Sequence, residues 1–324
     1  MNIVRLKAGS NDDGRRIDRI LRRACAELPV SAIHRLLRKG RVLLDGKRAE
    51  RGSRVSNGQF IEILGADIQE AVGRADHALQ PETPGVSGKS KIVVLYEGGG
   101  ILAVSKAAGM RTQEELSAIV REYLHGKTEP SLSFTPGPLH RLDRWASGVI
   151  VFGSSLAGAQ RFSALMQSSL LQKTYIALLE GSLQNEQIWR DNLCYSNAAR
   201  KTRLAGQDSA EYKTEDAKAK YAETHVVPLE LCGAFTLAKI EIKTGRTHQI
   251  RAQAAAHGFP LYGDRKYGGK NRPPFFLHAF RLVFPNDSHF PLSISAPFPP
   301  AFAKKLSELG FHAHNLQGSE LCQL

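Results

Sequence analysis

Apolar residues recur three and four positions apart in RRIDRILRRACAEL, at Ile17, Ile20, Leu21 and Ala24. That spacing places them on one stripe of a helix and leaves the arginines on the polar face. Pro29 ends the run, and Ser31 is the expected N-cap of a second helix, SAIHRLLRKG. Ile33, Leu36 and Leu37 share a face of this helix and Gly40 closes it. RVLLDGKRAE then carries Asp45-Gly46, the signal of a tight hairpin turn, and Ser56-Asn57-Gly58 leads into a closing strand, QFIEIL. The pattern predicts a small module of helices and short strands over residues 13–65, preceded by an extension, residues 1–12.

Periodicity fades over residues 66–91. ADIQEAVGRADHALQPETPGVSGKSK gathers Pro81, Pro84, Gly85, Ser87 and Gly88 and reads as a linker. From Ile92 onward strands and helices alternate. KIVVLYEGGGILAVSKAAG reads as two strands joined by a glycine turn. A phosphate loop is disfavoured there, because no G-K-[ST] follows the glycines. ELSAIVREYL and SSLAGAQRFSALMQ read as helices, and GVIVFG, KTYIALLEGSL and TLAKIEIKTG as strands. The last two strands alternate apolar and polar positions, which favours a mixed, largely antiparallel sheet flanked by helices over a parallel nucleotide-binding sheet. The expected fold class is α+β, with residues 92–324 as a second domain.

Composition narrows the setting. Hydrophobic residues make up 42% of the 324, and no stretch approaches the roughly 20 apolar residues a membrane span needs. MNIVRLKAGSNDDGRR has no apolar core of a signal peptide. The expectation is a cytoplasmic monomer with no membrane association. The four cysteines form no C-x-x-C pair, so neither a zinc site nor a disulfide framework is suggested. No metal and no cofactor is expected.

Charge adds a partner. The chain carries a net charge of +13, and residues 15–54 hold 13 Lys/Arg against four Asp/Glu. Such a patch favours a polyanion, since each phosphate contact releases counterions. Arg19, Arg35, Arg38, Lys39 and Arg41 are the candidate polyanion-binding residues of this module.

Three segments concentrate candidate chemistry. HRLDRWASG places Asp143 between Arg141 and Arg144, after His140. Neighbouring positive charge favours a carboxylate in its charged form, which suits a nucleophile or electrostatic stabiliser more than a general acid. An ion pair at a strand entrance is the plainer reading. KTGRTHQIRAQAAAHG offers Gly245 for a sharp turn, Thr247 as a helix cap, and Arg246 and Arg251 near a helix start, an arrangement that attracts anions or a protein carboxylate. KTYIALLEG places Tyr175, Ala177 and Leu179 on one strand face, where Tyr175 can fill the core or stack on a base.

Taken together and in this order, the segments resemble the motifs of RluA-type pseudouridine synthases. HRLDRWASG is similar to that family's H-R-L-D-x-x-T-S-G, KTYIALLEG to K-x-Y-x-A-x-x-x-G, and TGRTHQIR to T-G-R-x-H-Q-[IL]-R. LYGDRKYGG and FLHAFRLVF resemble downstream signatures, and residues 13–64 resemble an S4 RNA-binding domain. The resemblance implies cofactor-free isomerisation of uridine in structured RNA, with large-subunit, 23S-type ribosomal RNA as the expected partner. It implies Asp143 as the essential carboxylate, Arg251 as its ion-pair partner, and Tyr175 against the target base. Arg141 would hold the flipped-out nucleotide, with His140 and Arg246 as further RNA contacts. Whether Asp143 attacks the base, attacks C1′ or promotes proton removal at C2′ stays open.

The chain departs from the pattern at Trp145-Ala146, where an acid and a threonine are usual, at Lys106-Ala107, which lacks the usual proline, and at Gln253, where a histidine is common. The alternative function is an RNA-binding ribosome-assembly factor of the same fold without the reaction. Intact Asp143 and Arg251 argue against it. A glycosidase would need a second placed carboxylate, and the motif segments supply none.

Overall fold

The computed structural model describes residues 3–65, 92–206, 219–286 and 289–312. The expected linker, residues 66–91, lies outside these, as does Cys322. The chain forms two compact units.

The first unit contains a four-stranded antiparallel sheet in the order β1-β4-β2-β3, with β1 Ile3–Lys7, β2 Val42–Leu44, β3 Lys47–Arg48 and β4 Phe60–Leu64. β1 lies within the expected extension, residues 1–12, and its IVRLK segment pairs along the whole of β4. Two helices accompany the sheet, α1 Ile17–Ala24 and α2 Val30–Arg38. Ile17, Ile20, Leu21 and Ala24 are all buried and join Ile33, Leu37, Val42, Ile61 and Ile63 in one core, as the periodicity requires. Ser31 does not cap α2. The helix begins two residues earlier, at Val30, with Pro29 at the cap position, where a missing N–H costs nothing. The Asp45-Gly46 turn has positive φ at both residues (47° and 76°), the geometry of a tight hairpin turn.

Residues 117–138 and 152–161 belong to the same unit. They include α3 Ser117–Leu124, β7 Gly137–Pro138 and the start of α4 Leu156–Gln167. The buried Asp12 carboxylate organises the adjoining loop. It accepts hydrogen bonds from the Leu132 N–H (3.0 Å) and the hydroxyls of Ser131 (2.9 Å) and Ser133.

The larger sheet runs β11-β10-β12-β13-β9-β14-β8-β6-β5. In chain order these are β5 Val93–Gly98, β6 Ile101–Lys106, β8 Ser147–Gly153, β9 Gln172–Glu180, β10 Gln187–Ser196, β11 Lys201–Leu204, β12 Lys220–Cys232, β13 Phe235–Ile242 and β14 Leu277–Val283. β15, Ser293–Ser295, pairs with β14. β9 through β14 form antiparallel pairs, while β8 and β14 run parallel, so the sheet is mixed.

β9 buries both faces. Ile176 and Leu178 pack under α6, Pro300–Glu308, beside Phe302 and Leu306. Ala177 and Leu179 point the other way, toward Ile250 and Ala254 of α5, Gln249–Ala256, and toward Leu142 and Ala146. Tyr175 packs against this second cluster at its margin. The core therefore holds the Leu142–Ala146 segment, α5 and Tyr175 on one side of the sheet.

Candidate active site

Asp143 opens a tight turn. The Ala146 N–H donates to the Asp143 carbonyl at 3.1 Å, leaving Arg144 and Trp145 at the tip. The turn feeds directly into β8, where Gly148 pairs with Ala279 of β14. Gly148 has φ +115°, and a Cβ there would collide with the Ala279 carbonyl. Only glycine fits this backbone and this approach. The neighbouring Ser147 hydroxyl lies 2.9 Å from Nδ1 of the fully buried His278, whose pKa burial pushes down to about 4.

A residue outside the expected set also holds the turn. Lys106, at the end of β6, is buried, and its Nζ donates to the carbonyls of Ala107 (3.0 Å), Arg144 (3.0 Å) and Ala146 (2.6 Å). Burial pushes its pKa down to about 8, against the pull of the Asp143 and Glu115 charges. The missing proline after it does not prevent this grip. The signal in the sequence was the lysine itself, closing an otherwise apolar strand.

The Asp143 side chain is partly buried and faces nitrogen atoms of two side chains. Arg251 Nη1 donates to Oδ2 at 2.9 Å, and His248 Nε2 lies 3.6 Å from Oδ1. Arg251 is itself clamped by Asp264, through Nε (2.6 Å) and Nη2 (2.8 Å). Its guanidinium carbon sits 4.8 Å from the Tyr267 ring centroid and 4.5 Å from that of Phe275. Burial opposes its charge, but the pairing with Asp264 and then Asp143 outweighs burial and raises its pKa. The arginine is a fixed cation that directs an Nη1 N–H at Asp143. Asp264, buried within LYGDRKYGG, was missing from the expected set. Its signal was its place in LYGDRKYGG, a segment that resembles a downstream family signature.

The α5 entry differs from expectation. Thr247 is exposed and does not cap the helix; His248 occupies that position in a left-handed conformation, φ 52°. The Gln249 side chain accepts the Arg246 N–H instead, at 3.0 Å. His248 Nδ1 lies 2.9 Å from the Tyr267 hydroxyl, which accepts the Thr202 N–H at 2.8 Å. The Tyr267 proton is therefore directed to Nδ1, which leaves Nε2–H facing Asp143. Burial lowers the His248 pKa, against the Asp143 charge, in keeping with this neutral tautomer.

Tyr175 is near enough that the Asp143 charge, after burial, raises its phenol pKa; it stays a neutral ring. Arg141 is exposed and makes no ion pair among the described residues. Arg246 is exposed, with its Nε bonded to the Tyr221 carbonyl at 3.0 Å. His140, expected as an RNA contact, is engaged within the fold. Its Nε2 accepts the Val151 N–H at 3.0 Å, its ring stacks on Phe162, and burial, then Lys173, lowers its pKa to about 4. It ties the strand together as a neutral packed ring. Gln253 is likewise structural: fully buried, it accepts from Thr224 at 2.7 Å and donates to Asp191 at 2.6 Å.

Residues 100–256 match the family model described as RNA pseudouridylate synthase. Curated relatives agree. The chain is 29% identical over 288 residues to the ribosomal large subunit pseudouridine synthase C of Salmonella typhi, covering 85% of this chain and 86% of the relative. It is 29% identical over 290 residues to the protein of that name in Escherichia coli K12, with the same coverage. The chain is similar to the RNA pseudouridine synthases in these comparisons. The fold agrees with a solved human structure, RNA pseudouridylate synthase domain containing 1, at TM-score 0.56 and 24% identity over 67% of this chain and 86% of that one. The Asp143 turn, Tyr175 and Arg251 all lie within the matched stretch.

Proposed function

We propose that this pseudouridine synthase acts on ribosomal RNA of the large subunit, with Asp143 as the essential carboxylate. The observation that carries the reading is the Asp143–Arg251 ion pair, held from behind by Asp264 and set beside Tyr175. A carboxylate fixed by one arginine N–H on a pinned turn is preorganised for a reacting ring. In the reaction the N1–C1′ bond of uridine breaks, the uracil turns, C5 bonds to C1′ and loses its proton, and the freed N1 takes up a proton. Nothing is oxidised or reduced.

Target uridines in a structured RNA must leave their stack for this chemistry. Arg141, exposed and unengaged, is the side chain suited to occupy the gap, since a guanidinium plane stacks where a base was. Arg246 joins it as a phosphate contact. The names of the relatives support ribosomal RNA as substrate. Residues 13–65 supply affinity as an S4-like module: Arg19, Arg35, Arg38, Lys39 and Arg41 are all exposed.

The test is tritium release from ribosomal RNA labelled at C5 of uridine. Wild type releases tritium and Asp143→Asn does not, while both bind the RNA. Equal release by the two proteins overturns the assignment of Asp143. Absence of release from wild type on every ribosomal transcript would favour the assembly-factor alternative.

A further inference from the structure

We propose that Trp145 is a stacking platform for an unpaired nucleobase adjoining the target uridine, and so a determinant of substrate choice. The inference rests on the reading of Asp143 as the reaction's carboxylate.

Trp145 sits at the tip of the turn that Asp143 begins. Its side chain is 40% exposed, whereas the other tryptophan, Trp189, is 1% exposed. Isolated exposed apolar residues are common and by themselves mean little. What distinguishes this one is how firmly its backbone is fixed. Gly109 N–H donates to the Arg144 carbonyl at 2.8 Å, and Arg144 Nε donates back to the Gly109 carbonyl at 2.9 Å. Lys106 grips the carbonyls on both sides of Trp145, at Arg144 and Ala146.

The indole then packs on a surface made for it. Gly109 has φ +91°, and a Cβ there would lie 3.2 Å from the Trp145 ring. The absence of that Cβ lets the ring approach the 109 backbone. The Arg144 guanidinium lies 5.4 Å from the ring centroid, a cation that supports the ring and favours a polyanion nearby. The result is a large flat ring, immobilised from below and open above, at the mouth of a site whose substrate is a base removed from its stack.

Such a ring recognises a base face, and base faces are available only where the RNA is unpaired or distorted. The occupant is therefore a nucleotide of a loop, bulge or opened helix next to the target. Stacking of this kind is worth roughly five- to hundredfold in affinity per base and tolerates any base identity. The platform therefore selects for local unpaired structure more than for sequence.

The experiment uses the full chain and a C5-tritiated transcript of large-subunit ribosomal RNA. Trp145→Ala is expected to raise KM about tenfold with kcat changed less than about twofold, and Trp145→Phe to keep most of the affinity. Fluorescence gives a second readout, since Trp145 is the exposed indole. RNA added to the Asp143→Asn protein is expected to quench it, and the Asp143→Asn, Trp145→Ala double variant to show no such change. An unchanged KM in a Trp145→Ala protein of normal melting temperature, or no quenching at saturating RNA, overturns the proposal. The two readings fail separately. Tritium release by Asp143→Asn would overturn the carboxylate assignment, while the quenching would still decide whether Trp145 stacks.

Discussion

Asp143 and Arg251, 108 residues apart in the chain, meet at 2.9 Å. Arg251 arrives already held by the bidentate grip of Asp264. The triad is therefore asymmetric: Asp264 fixes the arginine, and the arginine fixes Asp143. Removing Asp264 leaves a guanidinium that is 7% exposed with half its partners gone. Breaking a buried pair from one side costs about 3–5 kcal/mol. Asp264→Ala is expected to lose stability on that scale in denaturant titrations and to lose tritium release as well. Arg251→Lys keeps the charge but cannot serve two carboxylates in the same plane, so it should lose most activity with a smaller stability loss. Activity within a few fold of wild type for both variants would show that the site does not depend on this relay.

Gly148→Ala tests the entrance to β8. The new methyl would meet the Ala279 carbonyl, and the residue would need φ +115°. The strand has to move, and Asp143 lies five residues upstream on the turn that feeds it. Expected outcomes are a loss of about 2 kcal/mol or more and a fall in kcat larger than the rise in KM. A stable, fully active Gly148→Ala would mean that the β8–β14 approach is dispensable.

Much of this architecture was legible where pattern and burial coincide. The stripe of Ile17, Ile20, Leu21 and Ala24 is buried as the 3.6-residue period demands, and β9 and β13 fall where alternation placed them. β10 and β12 were not legible. β10 buries only every third or fourth side chain. β12 contains Pro228, normally a signal against a strand; it is accommodated because the β12–β13 register shifts there, between Pro228 and Glu230. At the site, the motifs led to Asp143, Tyr175 and Arg251, but not to Lys106 or Asp264. Those two act through backbone carbonyls and through another side chain, relations that tertiary packing creates and local spacing does not encode. His140 shows the converse: its neighbours in sequence are polar, yet its ring nitrogen is engaged by the Val151 N–H.

His278 makes stability depend on acidity in a defined direction. Its pKa is about 4 in the folded protein, against 6.5 ordinarily, because it is fully buried. Between those values the unfolded chain binds a proton that the folded chain refuses. Stability is thus complete above pH 6.5 and falls as the pH drops toward 4, by up to about 1.4 kcal/mol per unit. Denaturant titrations across this range should show the slope, and His278→Gln should reduce it, leaving the contribution of His140, which burial also pushes down to about 4. An unchanged slope in the variant would assign the acid sensitivity to other groups.

The basic module makes the last prediction. Arg35, Arg38 and Lys39 are exposed on or just beyond α2, away from the buried Ile33 and Leu37. Replacing all three with glutamine should leave the module's apolar core intact, since none contributes to it. If they contact phosphates, each lost contact lowers the slope of log affinity against log salt by about 0.7–0.9. The triple variant should therefore bind ribosomal RNA with a slope about 2 to 3 smaller than wild type. KM for tritium release should rise at physiological salt, with kcat unchanged, because these residues hold substrate and do not meet the reacting base. A salt slope equal to that of wild type would mean that this face of the module does not meet RNA.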